Sequence, residues 1–315
     1  MSTNLYGKAG WTPERIPDLN GKTYVITGAN SGTGYQASKI LLSKGAEVVM
    51  LNRNEKKSTT AISELKKELG QDIKVSFIKM DLAQKDSVTN AAKEVLAKVS
   101  TIEALICNAA VAQLATQKMT PDGHEMHLGI NHYGHFLLTQ MLHDKVEQGG
   151  QRIVMVTSEG YKMGLKTIQF DDMNFDKNYH PNNTYCHSKL AQMMFGYALH
   201  DRLSAAGKVT QVYVCHPGAS KTSLIDEEAN KVTRFMYALL VKTPLVQSAE
   251  KGAYPELMCA TEKDLDPKGY YGPTGRMNWV GPVGQCDMED FVTDKAMADR
   301  LWEVSEQATG VSWAI

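Results

Sequence analysis

The sequence predicts an α/β protein built as a single-domain, Rossmann-type doubly wound parallel sheet with helices on both faces. Three observations carry that expectation. Short β-branched runs alternate with longer helical patterns from residue 22 onward, the runs are apolar nearly throughout, and a glycine-rich turn joins the first run to the first helical pattern. Alternation implies parallel strands joined by right-handed crossovers, and unbroken apolar runs imply strands covered on both faces.

Residues 1–20 read as an N-terminal extension and 21–315 as the domain. Within it "KTYVITG" is a strand, "GYQASKILLSKG" a helix, "EVVMLN" a strand, "EKKSTTAISELKKELG" a helix and "KVSFIKM" a strand. "SVTNAAKEVLAKV", "ALICNAA", a long helical segment over 122–147, "RIVMVTS", "TYCHSKLAQMMFGYALHDRL" and "VTQVYVCHPG" continue the order. After Gly218 the regularity fades into a mixed stretch (219–245), a helix (246–260), a Gly/Pro/Tyr-rich loop and a terminal helix (293–308).

With 315 residues, 43% hydrophobic and 22% charged, the chain has ample length for a sizeable core. Its formal charge of −1 gives no sign of a nucleic-acid or anionic-membrane partner. The N-terminus lacks the apolar stretch of a signal peptide or membrane anchor, and the five cysteines show no zinc-like spacing. A cytoplasmic protein with reduced thiols is expected, open to self-association into a homo-oligomer.

"VITGANSGTG" places Gly28, Gly32 and Gly34 between the first strand and helix, where open α/β sheets bind ligands. Glycines let the backbone approach a pyrophosphate, and helix N-terminal amides supply donors and positive dipole. The spacing is G-x-x-x-G-x-G, so the commoner dinucleotide fingerprint does not match, and an ordinary turn would also fit. At the end of the second strand Asn52 stands where an NAD site usually has an acid, with Arg53 beside it. Arg53 could grip a 2′-phosphate with a charge-assisted fork, so NADP(H) is expected over NAD(H). A solvated arginine at a polar helix start is the plainer reading.

In "NTYCHSKL" Tyr185 and Lys189 lie four residues apart, one above the other on a helix. Moving a phenol from about 10 to about 7 takes about 4 kcal/mol, and one cation at ~4 Å with an effective dielectric near ~20 supplies about that much. The spacing therefore suits a phenol that gives up its proton near neutrality, although a surface pair is the commoner origin of such a motif.

Together these motifs resemble the short-chain dehydrogenase/reductase family, in the branch of retinol dehydrogenases, WW-domain oxidoreductases and light-dependent protochlorophyllide reductases. The resemblance runs through "TGANSGTG", "MDL" (80–82), "CNAA" (107–110), "GINHYGHFLLT" (129–139), "VTS" (156–158), "YCHSK" (185–189) and "HPG" (216–218). It implies an oxidoreductase with a tetrad of Asn131, Ser158, Tyr185 and Lys189, acting on a small carbonyl or alcohol. In it Tyr185 is the general acid or base, Ser158 binds the substrate oxygen, Lys189 holds the nicotinamide ribose and the phenol, and Asn131 fixes a relay water. The resemblance further places Gly28, Asn30, Ser31, Gly32, Thr33 and Gly34 at the phosphates and Asn52 and Arg53 at the adenosine end. Asp81 and Leu82 fall by the adenine, Asn108, Ala109 and Ala110 by the ribose, and Pro217, Gly218 and Thr222 by the nicotinamide. A C=C reductase, or an NADP-sensing protein without chemistry, remains the alternative on the same fold.

His124, His127, His132 and His135 share helical spacing, but they fall on the stretch that carries Asn131, and no metal is expected. "LAQMMFGYALH" reads as core. Residues 159–182 form a long insertion in which Tyr161, Met163, Leu165 and Phe170 either wall the substrate or pack on one another. Residues 220–245 read as a lid, whose Leu224, Ile225, Phe235, Met236, Leu239 and Leu240 suggest a hydrophobic cleft and a lipophilic substrate.

Overall fold

The apolar runs become strands in the computed structural model, which describes residues 6–222, 224–225 and 228–315. They are β1 (Thr23–Thr27), β2 (Glu47–Asn52), β3 (Lys74–Lys79), β4 (Ala104–Cys107), β5 (Arg152–Val156), β6 (Gln211–Cys215), β7 (Tyr270–Pro273) and β8 (Val283–Cys286). One sheet holds all eight in the order β3-β2-β1-β4-β5-β6-β7-β8, with β1 to β7 parallel and β8 antiparallel to β7. Strand order reverses between β1 and β4, and that reversal opens a crevice above their carboxyl ends.

The helices are α1 (Gly32–Ser43), α2 (Glu55–Leu69), α3 (Lys85–Lys98), α4 (Met126–Leu128), α5 (Gly134–Glu147), α6 (Pro181–Ala205), α7 (Lys231–Leu240), α8 (Ala249–Thr261) and α9 (Lys295–Thr309). Two apolar cores sandwich the sheet. One packs α3, α5, α6 and α9 around Phe136, Phe195 and Trp302, and the other packs α1, α2 and α8 around Trp11, Leu41 and Leu257. Met193 and Met194 of α6 are buried in the first, as their spacing predicted. No described helix is long and apolar enough to cross a membrane.

The structure departs from the sequence reading in two places, the Gly/Pro/Tyr-rich loop and the 122–147 segment, and adds contacts for the N-terminal extension and the insertion. The Gly/Pro/Tyr-rich loop contributes β7 and β8, strands too short and too glycine-rich to show a period of two. The N-terminal extension packs onto β8: the Trp11 amide donates to the Val283 carbonyl at 2.8 Å, and the indole is buried. The long segment over 122–147 is interrupted by a π-helical turn, Gly129–Tyr133, between α4 and α5. The insertion packs as a strap, with Tyr161, Ile168 and Phe175 buried, Met163 exposed, and the Asn174 amide oxygen accepting from the Glu125 amide at 2.9 Å.

Candidate active site

Above the β1/β4 reversal lies a cleft of about 460 Å³. Every site residue expected from the sequence lines it except Gly34 and Asn131, which stand one layer behind. The cleft has two ends with different chemistry.

At the glycine end the turn after β1 is held by sterics. Gly28 has φ +68°, and a Cβ there would lie 2.9 Å from Ala109 Cα; one on Gly34 would lie 2.5 Å from Asn108 Nδ2 and 2.6 Å from the Gly28 carbonyl. Asn108 braces this turn rather than presenting its amide to the cleft. Its Nδ2 donates to the Thr27 carbonyl at 2.9 Å and its Oδ1 accepts from Thr33 Oγ1 at 2.9 Å. The N-cap of α1, Ser31, makes no side-chain cap bond, so its hydroxyl is not spent on the first amides of the helix, and Ser31, Gly32 and Thr33 line the cleft. At the tip of β2, Asn52 is buried, and both its side-chain nitrogen and oxygen lack a partner among the described residues. A buried amide costs free energy unless something bonds it, so this orphan marks where a ligand would sit. Arg53 is exposed at the rim, and Asn54 and Lys57 complete the wall. A glycine cradle, helix amides, an orphaned amide and two cations fit a dinucleotide.

At the other end Ser158, Tyr185 and Lys189 converge. β5 delivers Ser158 at its carboxyl end, and α6 delivers Tyr185 and Lys189 from successive turns. Ser158 lies beside the phenol, its Oγ accepting from the Gly160 amide at 3.1 Å, and Ala112 and Leu224 cluster with the ring. Burial pushes the Tyr185 hydroxyl up to about 12, with the Ser158 hydroxyl pulling the other way. Burial likewise pushes Lys189 down to about 7.

The acidification of Tyr185 by Lys189 expected from their spacing is thus not found in this structure. The Lys189 ammonium is turned to the Val156 carbonyl and to Gln192 Oε1, both at 2.9 Å, and burial is the largest influence on both groups. Asn131 also has a structural part. It lies in the π-helical turn, and its side chain is fully engaged: it accepts from the Val111 amide at 2.9 Å and donates to the Val111 carbonyl at 3.0 Å and Ser188 Oγ at 2.9 Å. It ties the loop after β4 to α6, a role in keeping with π-turns at functional sites.

The histidines disperse to separate partners. His135 Nδ1 faces the Asn131 carbonyl at 3.1 Å, which can only accept, so Nδ1 carries the proton and Nε2 accepts from Thr27 Oγ1 at 2.9 Å. Thr27 Oγ1 in turn accepts from the Ala109 amide at 2.9 Å, which closes a chain from the π-turn to the glycine turn. Burial lowers His135 to about 4, in keeping with a neutral ring. His127 pairs with Glu125 at 2.7 Å and packs edge-on against Tyr185, while His132 meets Ser305 Oγ at 2.7 Å. Among the described residues no three His, Cys, Asp or Glu side chains converge as metal ligands would.

Sequence reasoning missed Gln192, Val111, Gln113 and Tyr237. Only the first carried a signal, since Gln192 follows Lys189 by three residues on a helix. Of the expected lid, Leu224 and Ile225 reach the cleft with Tyr237, whereas Phe235, Met236 and Leu239 point outward; Ser223, Asp226 and Glu227 of that stretch lie outside the described residues. None of Tyr161, Met163, Leu165 or Phe170 lines the cleft.

Residues 22–233 match the family described as short chain dehydrogenase. The chain is 35% identical to human retinol dehydrogenase 12 over 94% of its own length and 88% of the relative's. It is 30% identical to polyprenol dehydrogenase of Danio rerio, over 98% and 92% of the two chains. Among solved structures, an uncharacterised protein of Mycobacterium paratuberculosis aligns with a TM-score of 0.78 at 31% identity, covering 97% of this chain and all (100%) of the other. A short chain dehydrogenase of Shigella flexneri, solved with NADP, shares the fold at a TM-score of 0.59 and 19% identity, over 79% and 94% of the two chains.

Proposed function

The chain belongs to the short-chain dehydrogenase family, with a retinol-dehydrogenase-like sequence, and from that premise we propose that this oxidoreductase uses NADP(H) to reduce lipophilic carbonyl compounds to alcohols. The convergence of Ser158, Tyr185 and Lys189 at one end of a cleft whose other end is a glycine turn carries the reading.

The glycine turn and the N-terminus of α1 would hold NADPH, Arg53 would favour its 2′-phosphate, and the bound cofactor would supply the hydride. Everything else is the work of side chains. Ser158 and Tyr185 line the same end of the cleft, so a carbonyl oxygen there can meet both hydroxyls. A phenol near 12 is protonated at neutral pH, and passing its proton to a developing alkoxide is downhill. The reverse reaction needs a phenolate, which Lys189, itself near 7 and bonded elsewhere, stabilises poorly in this state. The site as built therefore has the acid that carbonyl reduction needs already in its protonated form. Asn131 and Gln192 act as positioning groups, one fixing the loop beside Tyr185 and the other orienting the Lys189 ammonium.

Lipophilic substrates suit the apolar packing of Ala112 and Leu224 against Tyr185. Two relatives named for retinol and for polyprenol, both lipid alcohols, support the same class. Five buried, unpaired cysteines agree with a cytosolic setting.

The test is NADPH oxidation across aliphatic, aromatic, steroid and retinoid carbonyls. Turnover is expected with NADPH well above NADH, and Tyr185→Phe should lower kcat by about 10²- to 10⁴-fold while leaving NADPH binding largely intact. Near-normal turnover in Tyr185→Phe, or equal use of NADH, would overturn the reading.

A further inference from the structure

We propose that α7 is an interfacial helix that lies against an anionic lipid bilayer and turns the mouth of the cleft toward the lipid phase. Four of the eight large apolar side chains exposed among the described residues sit on this one helix: Val232 at 72%, Phe235 at 63%, Met236 at 60% and Leu239 at 47%. Their spacing of i, i+3, i+4 and i+7 gathers them into one stripe, about 100° wide.

The helix is held from its other side. Tyr237, opposite the stripe, donates to the Ser220 and Thr222 carbonyls, each at 3.1 Å, and no residue of α7 is buried. Turning the stripe into the protein would break these bonds. A patch of this size on a soluble surface calls for a partner.

Charge decides which partner. Lys231, Arg234 and Lys242 are exposed on or beside the helix, and residues 229–249 contain no Asp or Glu. The nearest described acid, Glu228, pairs with Lys118 at 2.8 Å. Lys231 and Lys242 flank the apolar stripe and Arg234 lies behind it beside Tyr237, and such a stripe, on a helix too short to span, matches the headgroup zone of an anionic membrane. The location agrees, because Ile225 and Tyr237 line both the cleft and the shallow groove beside α7. Membrane contact does not depend on the reaction, but its use for collecting a lipid carbonyl rests on the function proposed above.

Flotation of the full chain with vesicles tests this, with no cofactor or substrate present. Binding is expected to phosphatidylcholine vesicles that contain phosphatidylserine, and to weaken with phosphatidylcholine alone or with added salt. The double variant Phe235→Gln/Met236→Gln should bind at least about tenfold more weakly at an unchanged unfolding midpoint. Lys231→Gln/Lys242→Gln should lose the preference for phosphatidylserine. The proposal is overturned if the parent chain stays unbound, if the apolar double variant binds as well as the parent, or if that variant instead converts a dimer to a monomer. A negative result leaves the reductase reading standing, and a failed carbonyl screen leaves the vesicle result standing.

Discussion

At the scale of single residues, burial governs the titratable groups. Tyr185 and Lys189 shift in opposite directions, toward their neutral forms, because the cleft floor is dry. Glu256 is the sharpest case away from the cleft: it is 1% exposed, both carboxylate oxygens lack a partner among the described residues, and burial raises it to about 8. The folded state therefore binds more protons here than the unfolded state between the ordinary value of 4.5 and about 8, and stability is lost as pH rises through that window. Glu256→Gln should unfold at a midpoint close to the parent's at acidic pH and at a higher one by pH 9, with the gap opening through this range. Parallel midpoints in a thermal series would refute the assignment. Tyr185 and Lys189 were legible as a pair because helical spacing is local. Their environment was not, since Val156 meets the lysine, and Cys107 meets Gln192, only after strands and helix have packed.

At the scale of elements, the strand-to-helix turn and the π-turn decide how the cleft is built. Ala favours a helix over Gly by about 1 kcal/mol, so Gly34→Ala ought to help α1 by propensity alone. Contact distances say otherwise, because the new Cβ would displace the Asn108 amide and the Gly28 carbonyl that shape the turn. Gly34→Ala should keep its far-ultraviolet spectrum but raise the Kd for NADPH by about tenfold or more; unchanged affinity in a titration would show that the turn tolerates the methyl. The central strands and most of the helices were readable from their periods. The π-turn was not, because an extra residue in one turn leaves no mark on an apolar pattern that is already buried on all sides, as Gly129–Tyr133 is. Strands β7 and β8 were hidden for a related reason: four-residue strands containing glycine or proline take their conformation from the β6 edge they join.

At the scale of the whole molecule, the segment before β1 belongs to the fold. Trp11 is 1% exposed, donates through Nε1 to Glu262 Oε2 at 2.7 Å and meets Tyr254 edge-on. Trp11→Ala should destabilise the protein by about 3–5 kcal/mol, read as a lowered denaturation midpoint at an unchanged m-value. A loss below about 1 kcal/mol would show residues 6–20 to be an appendage. The sequence by itself determined the strand–helix alternation, the position of the glycine turn, the phenol–ammonium spacing and the family, because each depends on local periodicity or on neighbours within a few residues. Only the tertiary structure decided which groups face the cleft, which histidines brace it, that the Lys189 ammonium bonds away from the phenol, and that the apolar stripe of α7 points outward. Those outcomes depend on desolvation and on contacts between residues far apart in the chain, which exist only once the sheet has closed around its two cores.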